Sequence, residues 1–90
     1  MENTAVWIMW EPPRISNGKI IDYEIIYTDD SSLSIDQRTS VRVTNAYTRI
    51  FKVDGLKERT KYTFNVRPIN ELGPGHLSDS FTATTFLKRN

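Results

Sequence analysis

Residues 56–66, Leu-Lys-Glu-Arg-Thr-Lys-Tyr-Thr-Phe-Asn-Val, constrain the fold more than any other stretch of this chain. A short, charged turn leads straight into a segment in which Tyr62, Phe64 and Val66 alternate with Thr63 and Asn65. Alternation with a period of two places the bulky residues on one face of a strand and the polar ones on the other. Tyr62 follows Leu56 by six residues and opens that strand. In β-sandwiches a tyrosine so placed turns its hydroxyl back to an upstream backbone group, which satisfies a buried oxygen while the ring fills the core.

The same period recurs along the chain, and helical periodicity is sustained nowhere. Val6, Ile8 and Trp10 alternate until Pro12 and Pro13 stop the strand, because proline has no N–H to give a ladder. Asn17-Gly18 supplies a turn, and Tyr23, Ile25 and Tyr27 share one face of the strand that follows it from Ile20 or Ile21. The polar stretch from Asp29 to Ser40 reads as a loop, with short strands after it at Val41–Val43 and Phe51–Val53. Pro68 interrupts the Tyr62 strand near its end, residues 70–75 read as a loop, and Phe81 with Ala83 marks a last strand. Six short strands separated by turn signals predict an all-β, antiparallel two-sheet sandwich. Its expected interior is Val6, Ile8, Trp10, Tyr23, Ile25, Tyr27, Val43, Phe51, Val53, Leu56, Tyr62, Phe64, Val66, Phe81 and Ala83. The register of Ile50 against Phe51 is the open point, since a bulge there would exchange them.

These residues resemble the fibronectin type III module, an immunoglobulin-like sandwich. The resemblance runs from about residue 5 to residue 85, leaving 1–4 as a remnant or tag and 86–90 as a linker. It rests on Trp10 before Pro12 and Pro13, on Asn17-Gly18 before Tyr23-Glu-Ile25-Ile-Tyr27, and on the spacing of Leu56 and Tyr62. Residues 73–78 also match the family's Gly-x-Gly-x-x-Ser ending of the loop before the last strand. Immunoglobulin relatives place a cysteine two residues after the corner tyrosine; here that residue is Phe64. One departure carries a consequence. A full module has a strand of its own before the tryptophan strand, and only residues 1–4 precede Ala5. The first strand is therefore expected to be short or missing, leaving an open edge through which two chains could dimerise. Phe86 and Leu87 could instead fold back over the gap.

Composition narrows function. Ninety residues make one domain, and with no cysteine its stability must come from packing and hydrogen bonds. Twelve basic and eleven acidic residues leave a net charge of +1, without the basic excess a nucleic-acid binder needs to neutralise phosphates. No apolar run approaches the roughly 20 residues of a membrane-spanning helix, and no signal peptide is visible at the start of the chain. His76 is the only histidine, so neither a zinc site nor a Ser-His-Asp constellation can be assembled. Asp29, Asp30 and Asp36 lack the spacing of a calcium loop. The glycines around Pro74 lack the following helix that a phosphate cradle requires. No catalytic residue, cofactor or metal is expected.

The candidate contact residues are Trp7 and Met9, which point outward if Val6, Ile8 and Trp10 point inward, and the loop Gly73, Pro74, Gly75 and His76. An exposed tryptophan beside an exposed methionine either binds a partner or is covered by neighbouring long side chains or an adjacent module. Arg38, Arg42, Arg49, Lys52, Lys57, Arg59, Lys61 and Arg67 could form a polyanion patch, but acidic residues interleave them, and cross-strand ion pairs are the simpler account. The resemblance implies a non-catalytic binding and spacing module of an adhesion protein or receptor ectodomain. Its partners would be other proteins and neighbouring tandem modules, outside the cell, without nucleic acid or membrane insertion. Two alternatives share the fold: a module of an intracellular muscle or cytoskeletal protein, and an accessory module of a secreted enzyme.

Overall fold

A computed structural model describes residues 4–14 and 18–86. It contains β1 (Thr4–Met9), β2 (Ile20–Thr28), β3 (Thr39–Val43), β4 (Ile50–Leu56), β5 (Lys61–Asn70), β6 (Gly73–Pro74) and β7 (Phe81–Thr84), with one 3-10 turn at Ile35–Gln37. All pairings are antiparallel. Strands β1 and β4 form a narrow sheet, and a wide sheet runs β3-β2-β5-β6 with β7 also paired to β5. Among the described residues β1 has a neighbour on one side only. Asn17 and Leu87, and the remnant and linker apart from Thr4 and Phe86, fall outside the described residues. Thr4 itself is already in β1.

The core forms where the inner faces of the two sheets meet. Ile8, Tyr23, Ile25, Val43, Val53, Leu56, Tyr62, Phe64 and Val66 are buried, with Val6, Trp10, Tyr27, Phe51 and Ala83 packed half-buried against them. Phe64 is fully enclosed, with Tyr27 stacked at 5.8 Å and Phe81 at 5.7 Å between ring centroids. Strand β1 pairs Ile8 with Phe51 and Met9 with Ile50, so Phe51 faces the core and Ile50 faces out.

Five expectations differ from the structure. Phe81 lies on the same inner face as its β5 partner Phe64 but is 37% exposed, standing on β7, which among the described residues pairs with β5 alone. Ile26 and Ile69 are buried although they sit on the outer face, opposite Asn65 and Asp22 in the β2–β5 ladder. Strand β5 continues through Pro68 to Asn70. It can do so because the backbone groups of Val66 and Pro68 point away from β2: Ser78 N–H donates to the Val66 carbonyl (2.7 Å) and Gly75 N–H to that of Pro68 (2.8 Å). The missing N–H of Pro68 therefore costs the β2–β5 ladder nothing. Finally, Gly73–Pro74 is a short strand against Ile69 and Asn70, and the loop after β2 ends before Thr39.

Candidate protein-binding surfaces

Two surfaces stand out. The first is the outer face of the narrow sheet, where strand alternation turns Trp7 and Met9 outward beside their β4 partners Lys52 and Ile50. Trp7 is 62% exposed, Met9 72% and Ile50 46%. Local side chains therefore do not cover this patch. Trp7 and Met9 were legible from alternation; Ile50 joins them only once the β1–β4 register is known. Because these side chains pack against little, Trp7→Ala and Met9→Ala are each expected to shift unfolding free energy by no more than about 0.5 kcal/mol in urea titrations. Loss of a partner in either variant would then report contact rather than folding.

The second surface is the outer face of the wide sheet. A shallow cleft of about 480 Å³ there is lined by Ile21, Glu24, Arg42, Arg67, Leu72 and Pro74 among others. Arg42 on β3 pairs with Asp22 at 2.7 Å, and Arg67 on β5 pairs with Glu24 at 2.7 Å. Glu24 stands opposite both arginines in the ladders. Sequence spacing alone did not bring these four charges together; they meet because three strands pair in this register. Leu72, 84% exposed at the tip of the β5–β6 turn, overhangs them as an apolar rim.

Gly73, Pro74, Gly75 and His76 sit at the edge of the wide sheet, on a different sheet from Trp7 and Met9. A Cβ on Gly75 would lie 3.0 Å from the Pro68 ring, so this glycine allows the segment to lie close against β5. His76 is exposed. The basic residues are mostly engaged. Besides the two pairs above, Arg38 donates to the Leu33 and Ser31 carbonyls, and Arg49 donates to those of Ala46 and Thr48 while lying over the Tyr23 ring at 5.5 Å. The acidic loop residues serve local structure: Asp30 accepts from the Ser32 amide and hydroxyl, and Asp36 from the Ser34 hydroxyl. Among the described residues no three His, Cys, Asp or Glu side chains converge as a metal site would need.

Near the β4–β5 turn, Lys57 Nζ lies 2.7 Å from Asp29 Oδ2. The hydrogen bond from Lys57, then its charge, holds the Asp29 carboxyl below the ordinary carboxylate range; the same bond raises Lys57. The Asp29 contribution is thus present above its unfolded-state value and fades as pH falls through the lowered folded value. That of Lys57 is present at lower pH and fades as pH rises through its raised value. In thermal unfolding across the acid range, Asp29→Asn is expected to lose less stability on acidification than the parent chain. An unchanged acid slope would show the pair contributes nothing.

The family model described as fibronectin type III domain matches residues 1–84. The netrin receptor DCC of Rattus norvegicus is 32% identical over 82 residues, which are 91% of this chain and 5% of that protein. The ephrin type-A receptor 8 of Mus musculus is 34% identical over 82 residues, 91% of this chain and 8% of that protein. Neogenin of Rattus norvegicus is 34% identical over 72 residues, 80% of this chain and 5% of that protein. The chain thus spans less than a tenth of the length of these relatives. Among solved structures, the chicken CNTN1 FN1-FN3 domains match with a TM-score of 0.78 at 20% identity, over 97% of this chain and 29% of that one.

Proposed function

Because this chain belongs to the fibronectin type III family, we propose that it is a non-catalytic interaction and spacing module in the extracellular part of a cell-adhesion protein or receptor. The observation that carries this reading is the exposed outer face of the narrow sheet, where Trp7, Met9 and Ile50 stand together. Such a trio can anchor a protein partner by shape and apolar burial, with Lys52 supplying a polar rim. The receptors among its relatives support the cellular setting. The ion pairs on the wide sheet support a solvated face that keeps neighbouring modules apart without mutual adhesion.

The test is made in the full-length parent protein, with an epitope tag inserted next to the module and antibody applied to intact cells. Staining without permeabilisation is the expected result. Staining only after permeabilisation would replace this reading with the intracellular structural one. Release of the tag into the medium with a catalytic domain attached would replace it with the secreted-enzyme one.

A further inference from the structure

On the outer face of the wide sheet the acids lie deeper than the bases they pair with. The side chain of Arg42 is 52% exposed where that of Asp22 is 17%, and Arg67 is 26% exposed where Glu24 is 19%. Glu24 accepts from Arg67 Nε at 2.7 Å, and Asp22 accepts from Arg42 Nε at 2.8 Å and Nη2 at 2.7 Å. Among the described residues both Nη groups of Arg67 and Nη1 of Arg42 have no partner. Two guanidiniums are thus fixed from beneath and offer donors outward. The apolar side of the cleft is fixed as well. Leu72 N–H donates to Asn70 Oδ1 at 2.8 Å, and Asn70 pairs with Gly73 across the turn, where Gly73 adopts φ 130°. Leu72 is therefore held out into solvent by a pinned turn, with Ile21 and Pro74 lining the same cleft. Glu71 stands at this end too, four residues past Arg67.

We propose that this cleft docks an extended segment of another protein that carries one carboxylate side chain and an apolar one on the same side. The carboxylate takes the outward Nη donors of Arg67, with the charge of Arg42 alongside, and the apolar side chain packs against Ile21, Leu72 and Pro74. A guanidinium whose Nε is already held gives up less freedom on binding, and so does a leucine on a pinned turn. A second copy of this chain does not fit, because it would bring its own outward arginines against these. A sulfated or phosphorylated polyanion does not fit either. Glu24 and Glu71 line the same cleft and repel a run of negative charge, and Leu72 would gain no apolar contact from it. This inference uses the wide sheet, whereas the function proposed above is carried by the trio on the narrow one, so either can fail without the other.

The test selects a displayed library of random heptapeptides against the whole 90-residue chain at low ionic strength. Enriched sequences are expected to share one aspartate or glutamate with an apolar residue at an alternate position. Made as synthetic peptides, they should shift the Arg67 Nε–H and Leu72 methyl signals in NMR titrations. Replacing their carboxylate by the amide is expected to weaken binding at least about tenfold. Leu72→Ser, at a side chain that is 84% exposed, should weaken it without moving the urea midpoint. The paired variant Glu24→Gln with Arg67→Gln removes the guanidinium without stranding a carboxylate, and should abolish the shifts while the chain stays folded. Tyr47→Ser changes an equally exposed ring outside the cleft and should leave the peptides bound. The proposal is overturned if no sequence enriches, if the enriched ones lack a carboxylate, or if their amide forms bind as well. It is equally overturned if a sulfated oligosaccharide shifts the same signals at lower concentration than the best peptide.

Discussion

Phe64→Ala is expected to remove about 3–5 kcal/mol of folding stability, the range for deleting a fully enclosed aromatic ring. The residue is 0% exposed and central to the β5 face that packs under the narrow sheet. Its ring touches Tyr27 on one side and Phe81 on the other, and Tyr62 lies 6.3 Å away, so the vacated space has aromatic walls that cannot close over it. Native domains are stable by only about 5–15 kcal/mol, so the loss takes a large part of the total. Each kcal/mol lowers the midpoint of a domain this size by about 4–8 °C, and calorimetry should therefore show a fall of at least about 12 °C. The contrast is Phe81→Ala, the same change in a ring that solvent already reaches. It is expected to cost clearly less, and equal costs would mean that Phe81 is as well covered as Phe64.

That contrast marks the limit of what alternation reveals. Period two distinguishes the two faces of a strand, and it placed Phe64 and Phe81 correctly on the same face. Whether a face is covered depends on what the rest of the fold lays over it, which no local pattern encodes. Ile26 and Ile69 are buried on the outer face, turned away from the narrow sheet, and alternation does not announce that either. Proline misled for a different reason: Pro68 ends a strand only if its missing N–H falls on a ladder, and the direction of that bond follows from pairing partners distant in sequence. The patch of Trp7 and Met9 was legible because alternation alone decides it, while Ile50 needed the β1–β4 register. The bonds of the short polar residues left no signal, although the Gly-x-Gly-x-x-Ser match had marked Ser78 itself. Asn65 donates to the Ser78 carbonyl, and Ser78 Oγ accepts from Val66 N–H, yet serine and asparagine have no period that announces such bonds.

Thr85 belongs to that silent class and carries the second large effect. Its hydroxyl oxygen accepts from Thr60 N–H at 2.9 Å and donates to the Lys57 carbonyl, and its own N–H donates to the Thr60 carbonyl at 3.0 Å. On the other side of the same turn, Lys57 N–H donates to the Tyr62 hydroxyl at 3.0 Å. Between these two holds sits Arg59 at φ 52°, a left-handed conformation that costs a residue with a side chain roughly 1–2 kcal/mol. Such strain persists where surrounding bonds over-determine it. Thr85→Val keeps the shape and strands the Thr60 N–H and the Lys57 carbonyl; Tyr62→Phe strands the Lys57 N–H. Each substitution is expected to cost about 1–3 kcal/mol in urea unfolding, because a donor or acceptor left without its partner loses its full solvation. Either change alone leaves the turn fixed from one side. Together they free it, Arg59 relaxes, and the double variant should lose less than the sum, with a coupling of about 0.5 kcal/mol or more. Arg59→Gly provides the independent check: once the strain is gone, the coupling between Tyr62 and Thr85 should shrink toward zero. Additive losses in the Arg59 background would mean that the two bonds hold the turn separately and that no strain is shared between them.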